Sequence, residues 1–363
     1  MKIFTPAYRC GFGASSGTVF GAAFGIAAVI AAAVPEAAFA AQVYHNEDGT
    51  DLSVFGRVEA RYMDKTSRNE RKGGIEGRSR LGVAASSKIV SGVKAVAFGE
   101  WEAASATSQN GKWNTRYAYT GFDFSQYGTL VFGQGESARY LAAGFTDVFE
   151  DAGFHGQNYP MLGERQEGQV MYAVAVGGYT LSASLQTPNR GMGRYFDHDR
   201  QVWQDLDVNL GFAAAGTYNW TDGLLDGLAF GISYDWYDNE HSVSGDRHDF
   251  GVAFSYGHLG DGLYTAVQYS REKFKSEKHH STGWEAVGGY TFECGLGFML
   301  GFGYEGYHFD RAENSYLAGQ VSYDFNPSLK LYGEGELGLG RLDYPQPETK
   351  QHSRYEIGLI YSF

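Results

Sequence analysis

The sequence is poor in the residues that break or staple a chain. Proline occurs 7 times in 363 residues and cysteine twice. Cys10 lies in the first forty residues, so Cys294 stands alone behind them, and no intramolecular disulfide framework is open to that part. There is no His-Glu-x-x-His and no Cys-x-x-Cys, and the His279-His280 pair lies in a lysine-rich stretch that reads as a solvated loop. No metal and no cofactor are therefore expected. Behind residue 40 no run of eighteen apolar residues exists, which leaves no segment there for a membrane-spanning helix. Positive charge is also scarce. Lysine and arginine number 29 against 42 acids, a net charge of −13. So acidic a chain is a poor partner for nucleic acid.

The first forty residues differ from the rest. Lys2 and Arg9 precede the apolar run VFGAAFGIAAVIAAAV, followed by Pro35, Glu36 and the small-x-small triplet Ala38-Phe39-Ala40. This is the layout of a secretory signal peptide cut after Ala40, with an uncleaved helical anchor as the rival. Removing residues 1–40 takes away Lys2, Arg9 and Glu36 and moves the charge to −14.

What the remainder has in abundance is glycine, 51 residues, and aromatics, 16%. Both suit many strands joined by tight turns. Stretches of about ten residues alternate apolar and polar. In DLSVFGRVEARYM (51–63), Leu52, Val54, Val58, Ala60 and Tyr62 share one face, and Ser53, Phe55, Arg57, Glu59 and Arg61 the other. Sixteen such segments are predicted: near 51–63, 77–86, 92–103, 113–123, 128–134, 167–174, 178–187, 207–218, 227–237, 247–256, 262–271, 283–292, 296–305, 315–324, 328–338 and 353–363. Long polar connections, such as 64–76, 188–206 and 272–282, alternate with short ones, such as 87–91, 293–295 and 325–327. That rhythm implies antiparallel neighbours with one ragged and one tight end.

The polar face is too charged for a packed core. Arg57, Glu59 and Arg61 crowd one segment, and Arg78 and Arg80 the next. Sixteen strands also enclose a lumen too wide for side chains to fill. The polar face is then turned to water inside and the apolar face to lipid outside. The fold class is all-β, a 16-stranded antiparallel transmembrane β-barrel. Tyr361 and Phe363, on the outer face of YEIGLIYSF, fall where such barrels carry an aromatic girdle.

One stretch does not alternate. GFTDVFEDAGFHG (144–156) sets Asp147, Glu150 and Asp151 among three phenylalanines. Just before it, GQGESAR (133–139) approaches a Gly-x-Ser-x-Gly nucleophile elbow. Arg139 replaces the last glycine and no helical pattern follows, so no catalytic residue is assigned.

Several motifs in order resemble the Gram-negative general porins: VYHNEDGTDLSVFGRV (43–58), RLGVAA (80–85), GEWEA (99–103), TRYAYTGFDFSQYGTLVFGQ (115–134) and the final phenylalanine. The resemblance covers nearly all of residues 41–363. It implies an outer-membrane homotrimer embedded in lipid and lipopolysaccharide. Its barrel would pass small hydrophilic solutes and ions by passive diffusion. It also implies that the third external loop, about 135–166, folds inward and narrows the pore. Asp147 and Asp151 match the loop's two acids, with Glu150 a near alternative to Asp151. The chain departs from the family's Pro-Glu-Phe-Gly-Gly, reading Glu150-Asp151-Ala152-Gly153-Phe154. The facing basic cluster would be Arg57, Arg80, Arg116 and Arg165, across water from those acids, with Arg78, Glu102, Glu59 and Arg61 as supporting lumen residues. Period two places Arg116 inward, with Tyr117 and Tyr119 outward. A solute-specific channel is the nearest alternative. A barrel enzyme or an adhesin is more distant, since no Ser/His or Asp/His set assembles.

Overall fold

The computed structural model describes residues 41–67, 70–104, 112–154, 156, 165–190, 194–197, 202–205, 207–239, 246–274, 280–307, 312–339 and 353–363. The expected leader, 1–40, lies outside them, as does His279. Among the described residues no helix is long and apolar enough to cross a membrane.

The strands in chain order are β1 (Ala41–His45), β2 (Thr50–Ser67), β3 (Glu70–Val90), β4 (Val93–Ala104), β5 (Trp113–Asp123), β6 (Thr129–Gly135), β7 (Gln166–Val176), β8 (Tyr179–Gln186), β9 (Arg194–Asp197) and β10 (Val202–Asp205). They continue with β11 (Val208–Asn219), β12 (Leu228–Asn239), β13 (Arg247–His258), β14 (Asp261–Phe274), β15 (His280–Thr291), β16 (Leu296–Tyr307), β17 (Ala312–Asn326), β18 (Leu329–Gly338) and β19 (Ser353–Ser362). One short helix, α1 (Tyr140–Ala143), follows β6. Strands β2–β8 and β11–β19 each pair with their neighbours. The pairings β8 with β11 and β19 with β2 close the ring. These are the sixteen segments expected from the alternation.

Three features exceed that expectation. The stretch 64–76, read as a polar loop, continues the β2–β3 ladder as far as Ser67 opposite Glu70. Beyond the lipid both faces of a hairpin are wet, so the apolar period vanishes while the backbone ladder persists. The connection 188–206 carries a hairpin of its own, β9 with β10. At the seam, Phe363 exchanges both backbone hydrogen bonds with Gly56, at 2.9 and 3.0 Å. Ala41 lies opposite Val54, so β1 covers the edge of β2 that β19 leaves.

The faces are inverted relative to a water-soluble protein. Along β13, Asp249, Gly251, Ala253 and Ser255 are buried, while Phe250, Phe254 and Tyr256 are exposed. Leu300 is 65% exposed and Ile357 58%, whereas Glu59, Glu100 and Asp235 are at 1% or less. Exposing so much apolar surface is unfavourable in water and neutral in lipid. Closure pairs the backbone groups that lipid cannot.

The inner face is not wholly polar. Phe55, Phe98, Tyr117, Tyr119, Val131 and Met171 form one buried cluster. Phe98 stacks on Phe55 at 5.5 Å and on Tyr119 at 5.3 Å. Gly82, opposite Phe55, is needed because an added Cβ would lie 2.1 Å from that ring. The inward position of Tyr117 and Tyr119 corrects the period-two reading. Glu100 pairs with Tyr117 but Trp101 with Thr115, so Arg116 is the extra residue of a β-bulge. A bulge shifts the alternation by one, and both tyrosines turn inward while Arg116 remains there.

Cys294 lies exposed in the tight turn between β15 and β16, closed by the Gly295 amide on the Phe292 carbonyl at 2.9 Å. If tight turns face the periplasm, a maleimide-polyethylene glycol too large for the pore will not label Cys294 on intact cells. It will label Cys294 fully once the outer membrane is opened. Labelling of intact cells would reverse the orientation.

Candidate pore constriction

The wall formed by β2–β5 carries three of the four expected basic residues, and Arg165 immediately precedes β7. Arg57 on β2 stands opposite Arg80 on β3, and Arg80 opposite Glu102 on β4. Arg80 Nε donates to Glu102 at 2.5 Å. Arg116 pairs with Glu100 and lies 3.6 Å from Glu102. Arg78 Nε donates to Glu59 at 2.8 Å. Like charges opposite one another destabilise a sheet. Here the interleaved carboxylates offset that repulsion and fix the direction of each guanidinium group.

The segment that leaves β6 does not stand away from the barrel. Glu136 accepts from the Tyr117 hydroxyl at 2.6 Å and lies 3.6 Å from Arg165 Nη1, whose guanidinium sits over the Tyr117 ring. Helix α1 packs on β11, β12 and β13. Thr146 Oγ1 donates to Glu285 on β15 at 2.6 Å, and Tyr264 on β14 donates to the Phe145 carbonyl at 2.7 Å. The amides of Glu150, Asp151 and Ala152 converge on the carboxylate of Glu334 on β18, at 3.0, 2.8 and 2.8 Å. The Gly153 amide donates to Glu336 at 2.9 Å and the Phe154 amide to Tyr316 on β17 at 3.0 Å. The tip then reaches β2 and β3. Glu150 accepts from Arg57 at 3.0 Å and from Lys330 at 2.9 Å, while Asp151 binds Arg61 and lies 3.1 Å from Arg78. Every partner named faces the inside of the ring. Residues 136–154 thus line the inner wall from β11 to β18 and touch β2 and β3.

The sequence matches the family described as Gram-negative porin over residues 27–339. The chain belongs to that family. It is an outer-membrane porin, a channel for passive diffusion of solutes rather than an enzyme. It is 28% identical to the porin-like protein L of Photobacterium profundum, over 91% of this chain and 96% of that one. Its fold is similar to that of the Salmonella typhi OmpF complex with daunomycin, with a TM-score of 0.71 at 15% identity, over 89% of this chain and 100% of the other. It is likewise similar to the trimer form of Vibrio cholerae OmpT, with a TM-score of 0.61 at 15% identity, over 87% and 100%.

The porin brings its expected residues together differently from the sequence-based picture. Asp147 and Asp151, with Glu150 a near alternative to Asp151, were expected to face arginines across water; Glu150 and Asp151 do not. Both are in direct ion pairs, Glu150 with Arg57 and Lys330, Asp151 with Arg61 and Arg78. Arg61 and Arg78, expected only to support, hold the tip. Asp147 is the exposed acid of the segment, and the Tyr140 hydroxyl donates to it at 2.5 Å. Arg80, Arg116 and Arg165 pair with Glu102, Glu100 and Glu136. Residues 155 and 157–164 of the expected loop lie outside the described residues. Sequence reasoning missed Lys330, Glu334 and Glu336, although LYGEGELG (331–338) alternates glycine with acids and so puts both acids on one face of β18.

Burial pushes against ionisation of Glu150, but Lys330 and Arg57 override it and hold its carboxyl at about 2, against 4.5 when free. Because the folded value is the lower one, this stabilisation is complete above pH 4.5 and fades as pH falls toward 2. The difference in unfolding temperature between the native porin and Glu150→Gln should therefore be full at pH 6 and vanish near pH 2. A difference independent of pH would contradict the ion pairs.

Proposed function

We propose that residues 136–154 and the arginine wall form the constriction of the channel. The supporting observation is the run of contacts that carries the segment from β6 around the inner wall to β18 and β2. Glu150 and Asp151 act as pins. The aqueous eyelet lies between Asp147 on the loop and Arg80, Arg116 and the Arg165–Glu136 pair on the other side. Opposite charges across a narrow pore in a low-dielectric wall concentrate a transverse field. A hydrophilic solute turns its dipole along that field, whereas an apolar solute must displace ordered water without gain. Fixed charges also bias ion passage. The solutes are small hydrophilic molecules and ions, and the surroundings are outer-membrane lipid and lipopolysaccharide.

The porin acts as a homotrimer in this reading, as the OmpT trimer form does, and residues 1–40 are its cleaved leader. Unboiled samples should run as a heat-modifiable trimer on gels. Crosslinking in mild detergent that yields monomer alone would count against the assembly.

Charge substitutions test the eyelet. Asp147→Asn should leave the barrel folded and move the reversal potential in a salt gradient toward anions. Arg80→Ala with Arg116→Ala should move it toward cations and admit bulkier solutes. Wild-type reversal potential and conductance in both variants would place these residues outside the conduction path.

A further inference from the structure

Helix α1 stands on a part of the wall shaped to receive it. The inward residues there are small: Ala213 and Ala215 on β11, Gly231 and Ser233 on β12, Gly251 and Ala253 on β13. A Cβ at Gly231 would lie 3.0 Å from that of Ala142. Farther along the same strands the wall becomes acidic. Asp249 stands directly opposite Asp235 on one side and Glu272 on the other, and all three are buried. Three adjacent carboxylates on neighbouring strands repel one another.

Two arginines meet them. Arg247 of β13 pairs with Glu272. Arg139, 1% exposed and immediately before α1, comes from the loop. Its Nη2 lies 3.1 Å from Asp249 and its Nη1 3.7 Å from Asp235. The neighbouring Ala138 amide donates to Ser184 of β8 at 3.0 Å. The next residue, Tyr140, holds Asp147 through its hydroxyl, and its ring meets Phe154 edge-on at 5.9 Å.

We propose that Arg139 is a positioning residue of the pore. Inserted between Asp235 and Asp249, it locks α1 to the barrel wall and, through Tyr140, sets the place of Asp147. A buried guanidinium between two carboxylates is costly to withdraw, because withdrawal leaves unpaired charges behind. The lock therefore holds the root of the loop as the ion pairs of Glu150 and Asp151 hold its tip. This inference rests on the assignment of Asp147 to the constriction.

The test is a set of double-mutant comparisons in planar bilayers. Arg139→Gln with Asp235→Asn and Asp249→Asn removes the lock and both counter-charges together. In that background the reversal-potential shift caused by Asp147→Asn should fall by about half or more, and open-channel noise should rise several-fold. Arg139→Lys, which keeps a cation between the two acids, should stay near wild type. Tyr140→Phe leaves the wall untouched and should also shrink the Asp147→Asn shift, so the proposal is decided even if the triple variant does not assemble. A full Asp147→Asn shift in the triple variant or in Tyr140→Phe would overturn it. If Asp147→Asn has no effect in the native background, the constriction assignment fails instead. The lock then stands or falls on the noise of the triple variant, a quiet channel overturning it.

Discussion

Lipid offers no hydrogen-bond partner to a peptide group, and the rest of the structure depends on that constraint. Sixteen strands satisfy it by closing on themselves, from β2 through β19 and back to β2. Closure turns apolar residues outward and polar residues inward. A ring of sixteen is too wide for its side chains to fill, so the interior is left to water and to whatever the connections place there. The loop after β6 is placed there.

A chain segment inside a wide aqueous barrel has little apolar surface to hold it. Ala142 packs by Gly231, and Ala152 and Phe149 pack on Tyr316 and Ala318. Residues 136–154 are otherwise held by charge and hydrogen bonds from strands far away in sequence. Glu334 gathers three amides, Glu285 takes Thr146, and Arg57, Arg61, Arg78 and Lys330 take the two acids at the tip. Charge-assisted hydrogen bonds against a low-dielectric wall are stronger than exposed ones. The arginines beside the tip are braced by Glu59, Glu100 and Glu102. Rigidity on both sides of the pore follows from the same chemistry that colours its interior.

The strands were legible because lipid imposes a strict period of two. The signal failed where lipid ends, at 64–76, and where a bulge at Arg116 slipped the alternation and turned Tyr117 and Tyr119 inward. No residue type marks such a bulge. The acids of the loop and Arg57 opposite them were legible by resemblance, but Lys330 and the pairing of Asp151 with Arg61 and Arg78 were not. Whether Asp151 faces water or Arg61 depends on where a loop tip lands across a barrel, and neither period nor spacing carries that. Arg139 was visible only as a residue that spoiled a catalytic motif. Its role emerges when Asp235 and Asp249, fourteen positions apart in sequence, are seen side by side.

The central claim is that the loop after β6 descends inside the barrel. Ala142 and Gly231 give the most direct measurement, because Gly231 lies on the inner wall near the tight end of β12, and its added Cβ would sit 3.0 Å from that of Ala142. In a Cys294→Ser background, Ala142→Cys with Gly231→Cys brings two thiols close to disulfide geometry after a small relaxation. The account predicts a disulfide that forms during export, seen as a gel shift reversed by reduction and as a 142–231 crosslinked peptide by mass spectrometry. Two free thiols, both open to maleimide in the folded protein, would contradict it.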